Sequence, residues 1–167
     1  MKKIIVVLFA LVCFAGAKNL SAQKFGHINF AELSTLIPGY DAAQAAFEQY
    51  YAELQKQLEA MHKEYEAKMS EYTTNVNSMT QLIKSAKERE IADLEMRITE
   101  FSNSATQDLN AKQAELLNPI FEKAKKAIED VAKENGYTYI FNNTEGIMLY
   151  ANPSDDVMDL VKKKLGI

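Results

Sequence analysis

The sequence from residue 41 to residue 78 is DAAQAAFEQYYAELQKQLEAMHKEYEAKMSEYTTNVNS. It opens a run of 95 residues, 41–135, that contains no glycine and only one proline. Alanine, glutamine, glutamate, lysine, leucine and methionine dominate the run, and all of them favour helix. Short segments of alternating apolar residues flank it on both sides. The sequence therefore predicts a small α+β body that is interrupted by a very long helical excursion.

Two apolar stripes run along the excursion. In the first, residues recur at steps of three and four that average about 3.6, which keeps them on one helix face. They are Phe47, Tyr51, Leu54, Leu58, Met61, Tyr65, Met69, Tyr72 and Val76. The second stripe consists of Ile83, Ile91, Leu94, Ile98, Phe101, Ala105, Leu109, Leu116 and Ile120. Two stripes of similar length predict an antiparallel α-helical hairpin with arms over 41–118, and a single straight helix is the alternative.

The turn of the hairpin is predicted at its weakest helical stretch. Thr73 to Ser78 is rich in threonine and asparagine, whose side chains favour local hydrogen bonds over helix continuation. The tip therefore lies near 73–79, and Asn77 or Ser78 could cap the second arm. This tip is polar and small.

The body is predicted from two separate segments, 24–40 and 119–167. In the first, Lys24–Phe30 (KFGHINF) alternates as a short strand does. Pro38-Gly39 is typical of a turn, and Asp41 is a credible N-cap for the first arm.

The second body segment begins at Asn118-Pro119, where the return arm is expected to change direction. The helix that follows has a broad apolar face for packing on a sheet, and Gly136 is well placed to end it. Tyr137–Asn142 and Ile147–Ala151 predict a β-hairpin. Ser154 is expected to cap a last helix, with Asp155 and Asp156 in its first turn and Lys162, Lys163 and Lys164 in its last. Three short strands with open edges would be marginal alone, so we expect the chain to oligomerise.

Residues 1–22 have the features of a cleavable signal peptide. Met1-Lys2-Lys3 is positively charged, and the apolar run from Ile4 to Ala15 is too short for a permanent anchor. Cleavage could follow Ala17 or Ala22, and we favour Ala22. In the alternative Cys13 would be lipidated, but Val12 is larger than the residue expected before a lipidated cysteine. We therefore expect export to the periplasm with no stable membrane anchor, leaving residues 23–167 as a single domain.

The expected mature chain is acidic and free of cysteine. The whole sequence has 19 basic and 23 acidic residues, and three of the lysines lie in the leader. The remaining net charge is near −7, which argues against nucleic acid as a partner. Without cysteine there is no disulfide or thiol chemistry.

No constellation points to an enzyme, a metal or a cofactor. His27 lies in the predicted strand and His62 in the middle of the first arm, so we expect a sheet-packed and a solvated side chain. No two glycines lie close enough for a phosphate-binding loop, and no nucleophile sits at a recognisable strained turn.

The arms carry tyrosine and methionine where a plain coiled coil would use leucine and isoleucine. Both residue types suit permissive binding surfaces, although they could equally fill the seam between the arms. The residues predicted to contact an unfolded client are Tyr50, Tyr51, Tyr65, Met69 and Tyr72, with Tyr50 beside the stripe and so more exposed. A basic cluster of Lys84, Lys87 and Arg89 could meet an anionic lipid headgroup or be an ordinary solvated face.

The order of these parts resembles the Skp/OmpH family of periplasmic chaperones. The resemblance rests on GHINFAEL (26–33), AKENGYTYIFN (132–142) and LYANPSDDVMDLVKKKLGI (149–167). It implies a homotrimer in which strands of three chains form a small β-barrel and the helical hairpins project as tentacles around a cavity. The residues expected in those strands are Phe25, Ile28, Phe30, Tyr139, Phe141, Met148 and Tyr150.

The resemblance also implies a function, namely an ATP-independent holdase for unfolded outer-membrane proteins. Well-known members are strongly basic and this chain is acidic, so electrostatic capture of acidic clients is not expected here. The alternative is a structural coiled-coil spacer or adaptor of the cell envelope that docks through its tip. A polar, small tip is poor material for docking, which favours the chaperone.

Overall fold

The computed structural model describes residues 23–144 and 148–167. In chain order these contain strand β1 (Phe25–Ile28), helices α1 (Phe30–Leu36), α2 (Tyr40–Asn75) and α3 (Gln81–Asn135), strand β2 (Tyr139–Asn142) and helix α4 (Met158–Leu165). The predicted signal peptide, with Cys13 and both cleavage points, lies outside the described residues.

Two long helices form the predicted antiparallel hairpin. Helix α2 would be about 54 Å long at 1.5 Å per residue. A 3₁₀ turn at Val76–Ser78 follows it, inside the stretch where the sequence predicts the tip. The cap of α3 is Thr80, whose Oγ1 accepts a hydrogen bond from the Ile83 amide at 3.4 Å, so the prediction of Asn77 or Ser78 is wrong.

At the start of α2, the prediction that Asp41 is the N-cap is also wrong. Gly39 precedes the helix with a φ of 102°, a left-handed conformation that glycine adopts at little steric cost. The Ala43 amide then donates to the Gly39 carbonyl at 2.9 Å. Asp41 lies in the first turn, where its carboxylate complements the helix dipole.

Helix α3 runs without interruption through Pro119 to Asn135, so the helix continues across the point where a change of direction was predicted. A proline inside a helix removes one amide donor and leaves a carbonyl one turn earlier without its partner. Pro119 is exposed, and water can satisfy that carbonyl on the solvent side of a helix. The end of α3 is as predicted, because Gly136 has a φ of 70° and its amide donates to the Ala132 carbonyl.

The sheet differs from the predicted β-hairpin. Strand β2 pairs with β1 in parallel, with Phe25 opposite Tyr139 and Ile28 opposite Asn142. In the predicted second strand, 148–151 has no strand structure and Ile147 lies outside the described residues. Both strand predictions for Met148 and Tyr150 are therefore wrong.

Phe30 also lies outside the sheet, because α1 begins there. The side chain of Asn29 accepts a hydrogen bond from the Glu32 amide at 3.1 Å and caps this helix. The strand predicted for Lys24–Phe30 is thereby cut short at Ile28. The Phe30 ring instead packs against Phe121 of α3, with 5.7 Å between ring centroids.

The last helix starts later than predicted. Asn152 caps a 3₁₀ turn at Pro153–Asp155, and α4 begins at Met158 with Asp159 in its first turn. The assignment of Ser154 as its cap is therefore wrong, and Asp155 and Asp156 precede it. The lysines of its last turn, Lys162–Lys164, are as predicted.

One hydrophobic core lies where α1, α4, β1 and the end of α3 meet. Its buried residues are Ile28, Leu33, Ile37, Ala43, Ile120, Ala124, Ala127, Val131, Val157, Met158 and Val161. The C-terminal part of α3 thus belongs to the body, and the remainder of the hairpin extends away from it.

Candidate functional site

The seam between the arms is apolar in its middle part. Ile91, Leu94 and Ile98 of α3 are buried, while Met61 and Tyr65 of α2 are half-buried. Most of the predicted stripe faces inward as expected. Two neighbouring residues differ from the prediction. Tyr50, placed beside the stripe, is half-buried, and Tyr51, placed on it, is 44% exposed.

Toward the tip, charged residues join the half-buried apolar side chains of Met69 and Val76. We call Lys68, Glu71, Tyr72, Lys87, Glu88 and Glu90 the ionic clasp. Lys68 forms an ion pair with Glu90 across the seam, and the Tyr72 hydroxyl donates to Glu88. Lys87 Nζ lies 3.0 Å from Glu71 Oε1 and 3.8 Å from Glu90 Oε2. The outer part of the hairpin is therefore held by charge and hydrogen bonds, which salt and pH can weaken.

The clasp alters the titration of its own members. The hydrogen bond from Lys68 lowers the pKa of Glu90, and the charge of Lys87 acts in the same direction. Glu90 in turn raises the pKa of Lys68. The hydrogen bond to Glu88 raises the pKa of Tyr72. A carboxylate with a lowered pKa stabilises the folded arm above its ordinary pKa, and this stabilisation is lost as the pH falls through the lowered value.

We expect the outer arms to separate at acidic pH or in high salt. Spin labels at Thr74→Cys and Ser85→Cys, in the chain without residues 1–22, should give a narrow distance distribution at pH 7 and a broad one below about pH 4, where carboxylates protonate. Lys87→Met should broaden it at pH 7. Labels at Ala60→Cys and Thr99→Cys, beside the buried middle of the seam, are the control and should not respond. A tip pair that ignores pH, salt and Lys87→Met would contradict the clasp.

An apolar groove opens between the arms on the body side of the buried middle. It is lined from α2 by Tyr51, Leu54, Gln55 and Leu58, and from α3 by Phe101, Ser102, Ala105, Thr106 and Leu109. Its volume is about 160 Å³. It exists because Ser102, Ala105 and Thr106 are too small to fill the space opposite α2. We refer to it as the arm groove.

The predicted client contacts fall into two groups. Tyr51 lies at the arm groove with an exposed ring. The side chains of Tyr50, Tyr65, Met69 and Tyr72 are half-buried in or beside the seam. Tyr50 was expected to be the more exposed tyrosine, and this prediction is wrong because it is half-buried. The Lys112 Nζ lies 6.0 Å from its ring centroid.

The predicted basic cluster is not an open positive patch. Lys87 is occupied by Glu71 and Glu90 in the ionic clasp. Lys84 is half-buried, and only Arg89 of the three is exposed. The positive charge of the cluster is thus partly neutralised within the hairpin.

An exposed aromatic face covers one side of the body's sheet. Phe25, Tyr139 and Phe141 are 45%, 55% and 47% exposed. Their rings contact one another at centroid distances of 6.0 to 6.2 Å. Ile28, also expected in a subunit contact, is only 2% exposed and belongs to the core.

His27 is packed in the sheet, as predicted, and fastens the segment after β2. Its Nε2 donates to the backbone carbonyl of Asn152 at 2.9 Å, and its Nδ1 accepts from the side-chain Nδ2 of Asn143 at 2.9 Å. In the tautomer with hydrogen on Nε2, both ring nitrogens are therefore hydrogen-bonded. His62 is exposed, as predicted.

Sequence reasoning missed an apolar feature at the tip. In the first turn of α3, Leu82 is 82% exposed and Ile83 is 47% exposed. The second stripe was expected to include Ile83, but it begins at Ile91. These two side chains lie in the first turn after the cap Thr80, at the far end of the hairpin. They add exposed apolar surface next to the polar stretch Thr73 to Ser78.

Over 23–144 and 148–167, no helix has the length and apolarity needed to cross a bilayer. The same residues contain no cluster of histidine, cysteine, aspartate or glutamate that could hold a metal ion.

Comparison with known proteins identifies a family and similar solved structures. The profile of an outer membrane protein family, described as OmpH-like, matches residues 24–165. A protein of Caulobacter crescentus that is assigned as an outer membrane chaperone (OmpH-like) has a similar structure, with a TM-score of 0.68 over 90% of this chain and 88% of that one. The two sequences are 13% identical, so this likeness shows the fold alone. No curated protein matches the chain significantly in sequence.

Proposed function

The chain belongs to the OmpH-like family of outer membrane proteins, and from this premise we propose that it is a chaperone that holds unfolded outer-membrane proteins without using ATP. The family match over 24–165 is the observation that carries the proposal. The arms support it, since their tyrosine and methionine side chains can adapt to irregular partners. We propose Tyr50, Tyr51, Tyr65, Met69 and Tyr72 as client contacts, with Tyr51 the most accessible of them.

We further propose that three chains assemble through their bodies, the number following from the Skp/OmpH resemblance. In the described part of the chain β2 has β1 on one side only, and an unpaired strand edge favours pairing with another chain. The exposed rings of Phe25, Tyr139 and Phe141 form an aromatic surface of the kind enriched in interfaces. A β-barrel of three bodies would pair the edge and cover the rings.

The proposed location is the periplasm, reached through a cleavable leader at 1–22. The lysines, apolar run and small residues of that stretch support export. The chaperone assignment of the similar Caulobacter protein is consistent with this location.

A second candidate, an envelope spacer or adaptor, is favoured by the tip. Leu82 at 82% exposure is a large apolar side chain with nothing covering it among the described residues. Such a side chain could dock on a fixed partner. The adaptor hypothesis predicts that Leu82→Ser abolishes binding to the fixed partner and leaves the protection of an unfolded client from aggregation unchanged.

The holdase can be tested by diluting a urea-unfolded outer-membrane β-barrel protein into buffer with the chain lacking residues 1–22. We expect light scattering to stay at baseline at one trimer per client, with no nucleotide present. Leu82→Ser is the matched variant and should hold the client as well as the wild type. Unchanged aggregation at a several-fold excess of trimer would overturn the proposal.

A further inference from the structure

We propose that the arm groove binds single aromatic side chains of unfolded clients, and that the acidic arms select aromatic residues flanked by lysine or arginine. The inference rests on the proposed chaperone function and names the class of client segment that the arms recognise.

The size and lining of the groove suit one aromatic ring. A cavity of about 150 Å³ lined by leucine, isoleucine and phenylalanine is enough to bind benzene. The arm groove has about 160 Å³ and presents Leu54, Leu58, Phe101 and Leu109. Aromatic rings bury a large apolar area and gain further from edge-to-face contact with other rings. Tyr51 and Phe101 provide such contact from opposite arms.

Two hydroxyl groups that line the groove already form hydrogen bonds within their own helices. The Tyr51 hydroxyl accepts a hydrogen bond from Gln55 Nε2 at 2.7 Å. The Thr106 hydroxyl donates to the Ser102 carbonyl at 3.0 Å within α3. These groups therefore gain little from binding a polar side chain, whereas the apolar lining gains from covering. The Tyr51 hydroxyl can still donate one hydrogen bond to the client backbone.

Charge decides which aromatic segments are favoured. Residues 41–118 contain 14 acidic and 8 basic residues, whereas the body segments 23–40 and 119–167 contain 9 and 8. The excess negative charge therefore lies on the arms. Four of the arm lysines are already paired with carboxylates. These are Lys63, Lys68, Lys87 and Lys112.

The rim of the groove has the same sign. Exposed carboxylates flank the lining residues, with no lysine or arginine partner in the portion that the structure describes; they are Glu48, Glu53, Glu100 and Asp108. Lys56 and Arg97 also flank the lining, and Lys112, near Leu109 in sequence, is paired with Glu115. A client segment with lysine or arginine beside its aromatic residue would meet complementary charge, and one with glutamate would be repelled. The selectivity should weaken with salt.

The test uses two peptides with the same aromatic residues, one flanked by lysines and one by glutamates. With the chain lacking residues 1–22 in low salt, we expect the lysine peptide to bind at least ten-fold more tightly, as measured by fluorescence anisotropy. The ratio should shrink several-fold in 0.5 M salt. It should also shrink when Glu100→Gln and Asp108→Asn are combined. Equal binding of the two peptides would overturn the charge selection.

Occupancy of the groove is tested separately. Ala105→Leu fills the groove and should weaken binding of the lysine peptide several-fold. Ala111→Leu, at an exposed position of the same helix, should leave that binding unchanged. Because Ala105→Leu could disturb the seam, a peptide carrying a photoreactive phenylalanine should also crosslink to groove residues of the wild type. Crosslinks elsewhere would overturn the site. A fatty acyl chain that blocks crosslinking at the groove more strongly than either peptide would show that the groove binds lipid. That result would also overturn the inference.

These outcomes separate the inference from the function on which it rests. A wild-type protein that prevents client aggregation but binds both peptides alike retains the holdase function and loses the selectivity. A protein that fails the aggregation assay loses the holdase function, and peptide binding then decides the groove's ligand by itself.

Discussion

Replacing Leu33 with alanine should lower the free energy of unfolding by about 2–5 kcal/mol, because the substitution leaves a cavity in a core that cannot fully collapse. Leu33 is 0% exposed and belongs to the core, in helix α1, which contacts both long helices of the hairpin. Urea unfolding followed by circular dichroism at one fixed protein concentration measures the loss. The concentration must be fixed because assembly would add to apparent stability.

Leu36 provides the matched control in the same helix. It is 43% exposed, so Leu36→Ala removes less buried surface and should cost under about 1 kcal/mol. Equal losses for the two variants would contradict the assignment of Leu33 to the core.

Shortening both arms should abolish holdase activity while the body remains folded. Deleting 50–67 and 93–110 removes 18 residues, or five helical turns, from each arm and preserves the helical phase, with each arm about 27 Å shorter. The cross-arm pair of Lys68 and Glu90 is retained, and the arm groove is removed. The measurement is the aggregation assay with the unfolded barrel protein.

The control for this deletion is the solution mass, which depends on the body. We expect an unchanged number of subunits together with lost protection of the client. Full protection at the same ratio of trimer to client would show that the arms are not the working part, and would place client binding on the body.

The long-range periodicity of the chain predicts the hairpin well, whereas short segments mislead. All but one of the first-stripe residues within α2 are half-buried, because a helix face depends only on local spacing. Tyr50 and Tyr51 are neighbours at its edge, and the choice between them depends on how the second arm packs. The ionic clasp could have been predicted from the sequence, since Lys68 and Glu90 lie at similar distances from the tip along their arms.

The sheet could not be predicted from its strands alone. Tyr139–Asn142 has strand character, but nothing in its composition says that its partner is Phe25–Ile28 rather than the next apolar segment. Closeness in sequence favours a β-hairpin with that next segment. The strand pairs with β1 instead, whose Ile28 belongs to the core. Similarly, KFGHINF alternates through Phe30, yet the capping side chain of Asn29 starts a helix there. The arm groove depends on side-chain volumes across two arms, which no single stripe reports.

The parallel pairing of β1 with β2 has a consequence for how the chain folds. The 110 residues 29–138 separate the paired strands, and closing a flexible loop of that length costs on the order of 4 kcal/mol of chain entropy. The hairpin forms from contacts that begin beside its own turn, so it would be complete early and would bring the two strand segments together. An exported chain would then have its arms before it has a sheet. Assembly of subunits, which needs the sheet, would come last.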